Sequence, residues 1–308
     1  MSSTQSSQQF VAAVRERVGL VVVGQDVVVE RVMIALLTGG HLLLQGMPGL
    51  AKTLLVNTVA KAIHLDFKRI QFTVDMLPSD ILGSEVVDLK TGEFRIHRGP
   101  VFTNLLLADE INRAAPKVQG AMLEAMQERK VTLGGQSMKL PTPFLVIATQ
   151  NPVEQSGTFE LPEAQLDRFM LLHRLGYPGR DEEQDILRRQ LSMGLRKEEG
   201  GAVPKTAFDM IDGSPVGTAT DLVAAMESVQ QVHVSEVFLK HSVELVRRTR
   251  ESKLLDFGCS PRAGLALVNA ARARAVIHGR DYVTPEDLFD LAEDIVLHRI
   301  RVSYEAAA

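Results

Sequence analysis

The feature that most constrains this chain is a glycine-containing loop between a short apolar run and an amphipathic stretch. The apolar run is His41–Gln45, the amphipathic stretch is Lys52–Ile63, and the loop between them reads Gly46-Met47-Pro48-Gly49-Leu50-Ala51. A strand followed by such a loop and a helix directs successive backbone N–H groups at one point, where an anion binds. The stretch therefore predicts an α/β fold with a phosphate-binding loop.

Lys52 and Thr53 supply the side chains that such a loop needs. The order G-x-x-x-x-G-K-[ST] is matched at every fixed position except Ala51, which replaces the second glycine. Alanine is acceptable there if residue 51 has a right-handed helical backbone, since only a positive φ favours glycine. We expect Lys52 to reach the β- and γ-phosphates of a nucleotide and Thr53 to hold Mg²⁺. Taken alone, the loop also fits a purely structural strand–helix turn.

An acidic pair at the end of a second apolar run supports the nucleotide interpretation. Asn104–Ala108 predicts a buried strand, and Asp109 and Glu110 follow it directly. Ligands of α/β proteins bind at the carboxyl ends of the strands, so both carboxylates would face the same sheet edge as the loop. Asp109 can enter the Mg²⁺ shell, and Glu110 can orient and deprotonate the attacking water. Alone, the pair fits a solvated acidic turn; the two motifs together indicate nucleotide binding.

A third polar position follows another predicted strand. Asn151 comes just after Phe144–Thr149 and is followed by Pro152. On a neighbouring strand its amide could hold the attacking water or the γ-phosphate. Asn-Pro is also a common start of a turn, which is the alternative interpretation. The first two motifs favour the role at the phosphate.

The first part of the chain has the pattern of a parallel sheet covered by helices. Up to about residue 176, short apolar runs alternate with amphipathic stretches. The predicted strands are His41–Gln45, Phe67–Thr73, Asn104–Ala108, Phe144–Thr149 and Phe169–Leu175, and the predicted helices are Asp26–Thr38, Lys52–Ile63 and Pro116–Glu128. An insert at residues 75–100 and a hairpin at residues 130–141, with Gly134-Gly135 at its turn, interrupt the alternation.

The C-terminal part and the N-terminus differ from this pattern. After residue 179 almost every stretch is helical, with marked helix starts such as Ser260-Pro261 and Thr284-Pro285. We therefore predict an α/β nucleotide-binding domain at residues 18–176 and an all-helical lid domain at residues 180–308. The Ser/Gln-rich start predicts that residues 1–17 form a flexible lead.

Composition and charge argue against several classes of protein. The net charge is −4, whereas chains that grip nucleic-acid backbones usually carry a basic surface. Zero Trp and three Tyr leave few side chains for base stacking, so nucleic-acid binding is not expected. One cysteine argues against a disulfide framework, and no apolar run reaches the ~18–20 residues of a membrane helix. We expect a cytoplasmic protein without membrane insertion.

Further short stretches accompany these motifs in a fixed order. In chain order the set is Val23-Gly24-Gln25, Gly46–Thr53, Gln71-Phe72-Thr73, Leu77-Pro78-Ser79-Asp80, Gly99-Pro100-Val101-Phe102, Ala108–Arg113, Leu123–Glu128, Thr149–Pro152, Leu161–Phe169 and Ser260–Ala263. This series resembles the MoxR family of the AAA+ superfamily. The resemblance runs from about Val18 to Arg301 and includes Ala51, since alanine before the lysine is the usual form in that family.

The resemblance implies a P-loop NTPase fold of the AAA+ type, with a parallel five-stranded core, a helical lid, ATP and Mg²⁺ as ligands, and assembly into a ring, usually a hexamer. The nucleotide would contact Val23-Gly24-Gln25, the loop Gly46–Thr53 and Leu54. Asn151 is similar to sensor 1, Arg168 to an arginine finger that reaches a neighbour's γ-phosphate, and Arg262 to sensor 2.

The resemblance also implies a biological role. The insert and the hairpin would face the pore or a protein partner. Members of this family often work beside von Willebrand factor A-domain proteins, as chaperone-like ATPases that mature or remodel protein complexes.

The residue types alone do not decide the roles of Arg168 and Arg262. Arg168 lies between an amphipathic segment and a strand, so a solvated surface charge is its simplest interpretation. Arg262 occupies the first turn of a predicted helix, where a cation is unfavourable beside the helix dipole. An anion should therefore lie near Arg262, either a nucleotide phosphate or a carboxylate on the lid. Whether Arg262 would serve its own nucleotide or a neighbour's stays open.

Other functions fit part of the pattern. The motor subunit of a metal chelatase would share the inserts and nearly all the site residues. A helicase would need basic pore loops, but the hairpin offers only Lys130 and Lys139. A nucleotide-gated scaffold with little turnover is a further alternative, against which Lys52, Asp109 and Glu110 argue.

Overall fold

The computed structural model describes residues 3–152, 157–198, 201–211 and 214–307, where an α/β domain precedes a largely helical one. The elements of the α/β domain are α1 (Ser3–Gly19), α2 (Asp26–Thr38), β1 (Leu42–Gln45), α3 (Lys52–Ala62), β2 (Phe67–Gln71), α4 (Pro78–Leu82), β3 (Gly83–Val87), β4 (Phe94–Arg98), β5 (Leu105–Asp109), α5 (Pro116–Glu128), β6 (Lys130–Leu133), β7 (Gln136–Lys139), β8 (Leu145–Gln150), α6 (Glu163–Leu166) and β9 (Leu171–Arg174).

The five predicted strands form one parallel sheet in the order β2-β5-β8-β1-β9. Every residue of β5 and β8 is buried, as expected for parallel strands covered by helices on both faces. The carboxyl ends of all five strands therefore share one edge, and only β8 separates β1 from β5. The predicted five-stranded parallel core is confirmed.

The N-terminal residues differ from the prediction of a flexible lead at residues 1–17. Ser3–Gly19 forms α1, which packs against α2, α3 and two helices of the lid. Its apolar side chains Phe10, Val11, Val14 and Val18 are buried. They recur at helical spacing along one face, so burial of that face outweighs the Ser/Gln-rich composition of the first residues.

The second domain contains the predicted helices and two short antiparallel ribbons that the sequence analysis did not predict. Its elements are α7 (Arg180–Ser192), β10 (Leu195–Glu198), β11 (Gly201–Pro204), α8 (Ala219–Gln230), α9 (Glu236–Glu251), β12 (Leu255–Phe257), α10 (Pro261–Ile277), α11 (Pro285–Val296), β13 (Arg301–Val302) and α12 (Tyr304–Ala307). The ribbons pair β10 with β11 and β12 with β13. No helix within the described residues is long and apolar enough to cross a membrane.

A buried charge cluster joins the lid to the α/β domain. Arg31 of α2, only 6% exposed, donates to Asp294 of α11 at 2.5 Å and to its neighbour Glu30 at 2.6 Å. Arg274 of α10 contacts the same Glu30 carboxylate and also Asp287, which is fully buried. Buried charges are tolerated when paired in this way, and removing one partner usually costs several kcal/mol, on the order of 3–5. The lid helices α10 and α11 are therefore firmly attached to α2.

The insert and the hairpin lie outside the sheet. The insert contains α4 and the antiparallel pair β3–β4, whose connecting end exposes Leu89 and Phe94. The hairpin pairs β6 with β7 through Gly134 and Gly135, which have φ values of 53° and 76°. Two consecutive positive φ angles are the geometry of the tight hairpin turns that glycine favours.

Two buried histidines predict a loss of stability in mild acid. Burial lowers the pKa of His41 to about 4 and that of His298 to about 3, from an ordinary value of 6.5. The unfolded chain would therefore bind protons below pH 6.5 that the native chain does not, so stability present above that pH is lost as the pH falls. From about pH 7.5 to about pH 5, each histidine should lower the free energy of unfolding by about 2 kcal/mol.

Urea denaturation of His41→Gln at both pH values would test this expectation. The variant should show a smaller pH-dependent loss than the wild type, whereas His241→Gln on exposed α9 should show the same loss. An unchanged pH dependence in His41→Gln would contradict the assignment of His41 as a buried neutral side chain.

Candidate active site

The loop after β1 folds as a phosphate-binding loop requires. The Gly46 N–H donates to the Gln150 carbonyl of β8 at 3.2 Å, which anchors the start of the loop to the sheet. A Cβ on Gly46 would lie 2.9 Å from the Leu175 side chain, so no larger residue fits without a shift. Gly49 has a φ of 87°, in the region that favours glycine. Lys52 and Thr53 then open α3.

Ala51 has a left-handed backbone, with φ 53° and ψ 23°. Residue 51 therefore does not have the right-handed helical backbone in which alanine is readily accepted. A left-handed conformation costs a residue with a Cβ about 1–2 kcal/mol. The loop consequently holds a strained residue directly before Lys52, and strain of this kind is concentrated at functional sites.

Replacing Ala51 with glycine should therefore stabilise the nucleotide-free protein. Relief of the left-handed strain, partly offset by the greater freedom of glycine in the unfolded chain, predicts a gain of about 0.5–1 kcal/mol. Urea denaturation measures it. Ala12→Gly, at an exposed position of α1, is the matched control and should cost about 1 kcal/mol. A loss of stability in Ala51→Gly would show that the residue is not strained.

Lys52 lies in the electrostatic range of the acidic pair. Its Nζ donates to the Gly46 carbonyl at 2.9 Å, inside the curve of the loop. Burial lowers the pKa of Lys52, while the charges of Asp109 and Glu110 act in the opposite direction. The loop and the acidic strand end, which are far apart in sequence, thus lie at the same carboxyl edge of the sheet, with only β8 between their strands. Thr53, the next residue of α3, is half-buried.

Asp109 is fixed at the end of β5 by its two neighbouring strands. It is 8% exposed, and its Oδ1 accepts a 2.6 Å hydrogen bond from the Thr149 hydroxyl of β8. Arg69 of β2 donates to its Oδ2 through two nitrogens, at 2.6 and 3.1 Å. An ionised carboxylate has about four lone-pair sites, so about one remains for a further partner.

Glu110 has a left-handed backbone with φ 57°, which turns its side chain away from the strand direction. Its N–H donates to the Thr149 hydroxyl at 2.9 Å. The carboxylate Oε2 accepts from Gln71 of β2 at 2.7 Å and from Arg113 at 3.1 Å. One threonine therefore orients both acidic residues, and polar side chains hold the Glu110 carboxylate in place.

A cavity of about 430 Å³ adjoins the loop, and we call it the loop cavity. Its walls include most of the residues predicted to contact nucleotide, namely Val23, Gln25, Pro48, Gly49, Leu50, Ala51 and Leu54. Tyr177 and the α7 residues Ile186 and Leu187 close the opposite side. The volume and the apolar lining suit a small organic ligand such as a nucleoside. The other predicted residues, Gly24, Gly46, Met47, Lys52 and Thr53, lie in the adjoining turns and at the start of α3.

Asn151 lines a second cavity of about 550 Å³ at the strand ends. It is 6% exposed and lies beside Gln45, whose amide donates to the Gln150 side chain at 3.0 Å. Asn112 also lines this cavity, and its buried Oδ1 has no hydrogen-bond partner among the described residues. A polar side chain near the end of β8 is where the sequence predicted one.

Arg262 contacts the turn that carries Arg168 rather than the loop cavity. Arg262 Nη1 is 3.6 Å from the Asp167 carboxylate, next to Arg168 in the chain. Neither arginine lines the loop cavity within the described part of the chain. The anion expected near Arg262 is therefore a carboxylate, but one on the α/β domain rather than on the lid. Arg168 is half-exposed and makes no side-chain hydrogen bond or ion pair within the described ranges.

Sequence reasoning did not assign a role to Arg69, Gln71, Thr149 or Asn112. The first two contact the acidic pair because β2 lies beside β5, a neighbour relation that strand patterns alone do not reveal. Their polar character at the carboxyl end of a strand was the available signal. Thr149 reads as an ordinary buried strand residue until its register against β5 is known.

Comparisons with known proteins agree with this geometry. The model of the ATPase family associated with various cellular activities (AAA) matches residues 41–171, and the AAA lid domain model matches residues 247–308. The fold and site thus define an AAA ATPase: an α/β core with a phosphate-binding loop, followed by the lid.

Individual relatives narrow the class to one family. "Chaperone MoxR1" of Mycobacterium tuberculosis is 42% identical over 94% of this chain and 74% of the relative. "Uncharacterized protein YeaC" of Bacillus subtilis is 43% identical over 94% of this chain and 87% of the relative. A crystal structure of a Cytophaga hutchinsonii protein, described as a proposed ATPase, has a TM-score of 0.88 at 42% identity and covers 99% of this chain and 91% of its own. The chain belongs to the MoxR family of AAA ATPases.

Proposed function

We propose that this chain hydrolyses ATP to ADP and phosphate with Mg²⁺ as one subunit of a ring, in the hexameric form usual for the family. We further propose that hydrolysis remodels a protein partner. The observation that carries the proposal is the placement of the loop that ends at Lys52 and of the Asp109–Glu110 pair at one carboxyl edge of the sheet, on strands that only β8 separates. A lysine that would bind phosphates, a carboxylate that would hold a metal ion and a carboxylate that would activate water lie at one edge of the sheet, which supports phosphoryl transfer to water.

The residues at this edge fit a magnesium ion. Thr53 and Asp109 would hold it, since a hydroxyl and a carboxylate are hard oxygen donors of the kind that Mg²⁺ prefers. The Asp109 carboxylate keeps acceptor capacity beyond its bonds to Thr149 and Arg69. When bound, the ion would neutralise charge on the phosphate oxygens.

Each remaining side chain has a separate role. Lys52 would bind the β- and γ-phosphates, and the loop cavity would take the nucleoside. Glu110 would accept the proton of the attacking water, while Gln71 and Arg113 hold its Oε2 in place. Asn151 would hold the water or the γ-phosphate from the end of β8.

We further propose that Arg168 and Arg262 both act on a neighbour's nucleotide. Arg168 has no ion-pair partner within the described residues, and Arg262 contacts Asp167 beside it rather than the loop cavity of its own chain. Two arginines that do not line the subunit's own loop cavity would suit the developing charge on a triphosphate bound by the next subunit.

Turnover at different protein concentrations tests the ring. If Arg168 of one subunit acts on the nucleotide of the next, ATP turnover per subunit should rise with protein concentration as rings assemble. Chelation of Mg²⁺ should abolish turnover. The rise should reach on the order of 10³-fold between monomer and ring. Turnover per subunit that does not change across dissociation and assembly would contradict a shared site.

The exposed end of the β3–β4 insert supports a protein as the partner. Leu89 is 95% exposed and Phe94 69% exposed, so an apolar surface is presented at the end of the insert. Exposed apolar side chains favour contact with protein rather than with a phosphate backbone. A von Willebrand factor A-domain protein is the partner that we propose.

Co-purification with Glu110→Gln in the presence of ATP, with and without Leu89→Ser and Phe94→Ser, tests this assignment. An A-domain protein should be retained by the first variant and lost from the combined one. Binding of DNA or RNA that weakens steeply with salt would instead favour a nucleic-acid motor.

A further inference from the structure

The turn that carries Arg168 is held from the lid on both sides of that residue. Asp167 precedes Arg168, and Phe169 and Met170 follow it before β9 begins. All three neighbours are bound by the 3₁₀ turn Leu297–Arg299, which directly follows α11. The backbone of Arg168 is therefore fixed although its side chain has no partner within the described residues.

Arg299 makes most of these contacts. Its Nε donates to Asp167 Oδ1 at 2.8 Å, its Nη2 to the Phe169 carbonyl at 2.6 Å, and its Nη1 to the Met170 carbonyl at 3.2 Å. A further bond from Nη1 reaches the Ile295 carbonyl of α11. The guanidinium is only 3% exposed, and the planar fork of five donors suits several acceptors at fixed angles.

Two further lid side chains, His298 and Ser260, contact the same turn. His298 Nε2 lies 3.0 Å from the same Phe169 carbonyl. The Ser260 hydroxyl, at the start of α10, donates to Asp167 Oδ2 at 3.2 Å. The two ends of the lid that contact the turn, the start of α10 and the end of α11, therefore converge on the residues around Arg168.

We propose that Arg299 is a positioning residue for Arg168. By binding the residues around Arg168, this buried lid arginine fixes the position from which the Arg168 guanidinium reaches the neighbouring subunit. The inference rests on the proposed role of Arg168 as a finger. A group that acts across a subunit interface must be placed accurately, because a displacement of about 1 Å can cost on the order of 10²-fold in rate. The alternative is that Arg299 only attaches the lid to the α/β domain, as Arg31 does.

Arg299→Lys separates these two roles. Lysine keeps the positive charge but lacks the planar guanidinium with its five donors. It therefore cannot bind Asp167 and the carbonyls of Phe169 and Met170 at the same time. We expect turnover by assembled rings to fall on the order of 10²-fold, with ATP affinity and ring mass unchanged. Asp167→Asn removes the negative charge that pairs with Arg299 and should also lower turnover.

Mixing subunits identifies which side of the interface is damaged. Glu110→Gln subunits lack the base but keep the finger, so they should restore turnover to Arg168→Ala subunits, whose own sites are intact. Arg299→Lys should be restored in the same way, giving more turnover than the sum of the separate proteins. Arg31→Lys, the matched buried arginine between α2 and α11, should lose thermal stability without a loss of turnover that mixing restores.

Three results would overturn the inference: Arg299→Lys keeps full turnover, is not restored by mixing, or loses assembly instead of turnover per ring. Failure of the proposed function looks different. In that case Arg168→Ala itself would retain its turnover, or would gain nothing from Glu110→Gln subunits.

Discussion

Replacing Arg168 with alanine is expected to lower ATP turnover by assembled rings on the order of 10³-fold, the smaller end of what a supplied arginine contributes to phosphoryl transfer. The side chain has no ion-pair partner within the described residues, so its removal should leave the fold of its own subunit intact. ATP affinity should change little, because Arg168 does not line the loop cavity of its own subunit. Steady-state turnover and equilibrium ATP binding measure the two effects.

Arg247→Ala is the control for the loss of a positive charge. Arg247 lies on α9, 62% exposed in its side chain, and pairs with Glu251 one helical turn away. Such exposed pairs contribute little to stability, and turnover should stay near the wild-type value. Equal turnover in Arg168→Ala and Arg247→Ala would mean that Arg168 is an ordinary surface charge.

The second large effect is expected for Glu110→Gln. Glutamine keeps the size and the polar contacts of the side chain but cannot accept a proton, so turnover should fall about 10²–10⁴-fold. ATP binding should be retained, since Lys52 and the loop are unchanged, and should even strengthen if the loss of a negative charge near the triphosphate outweighs other changes. Single-turnover hydrolysis measures the chemical step directly.

Glu251→Gln, the other half of the exposed α9 pair, is the matched control and should hydrolyse ATP normally. A Glu110→Gln protein that binds ATP and still turns it over at the full rate would remove Glu110 from the role of base. A protein that loses binding as well would indicate a damaged site rather than a missing base.

Much of the fold could be predicted from local patterns. The five core strands are apolar at consecutive positions because helices cover both faces of a parallel sheet, and that pattern is visible without neighbours. The placement of the loop and of Asp109 at the same edge of the sheet followed from one rule, that parallel strands share a carboxyl edge. Short motifs at strand ends were therefore sufficient to bring the loop and the acidic pair together.

What could not be predicted depends on pairings between distant segments. The strand order places β2 beside β5, which brings Arg69 and Gln71 to the acidic pair, but nothing within β2 specifies that neighbour. The left-handed backbone of Ala51 is imposed by the path of the loop. Helix α1 was not predicted because its first residues are polar and rich in Ser and Gln. The helices that cover its apolar face, among them α3 and lid helices, are distant in the sequence.

The contact between Arg299 and the Arg168 turn is a further example. Residues 167 and 299 are far apart in the sequence, and an arginine near the C-terminus reads locally as a solvated charge. Only the packing of α11 against β9 brings its guanidinium into the protein interior. Burial, rather than residue type, is what identifies it.

The most direct test of the central claim is a crystal structure with Mg²⁺ and a non-hydrolysable ATP analogue. We expect one Mg²⁺ ion, with the Thr53 hydroxyl at about 2.1 Å and Asp109 in its inner or outer shell. Lys52 Nζ should contact the β- and γ-phosphates. Glu110 should face the γ-phosphate. A triphosphate bound away from the loop, or an ion that neither Thr53 nor Asp109 approaches, would contradict it.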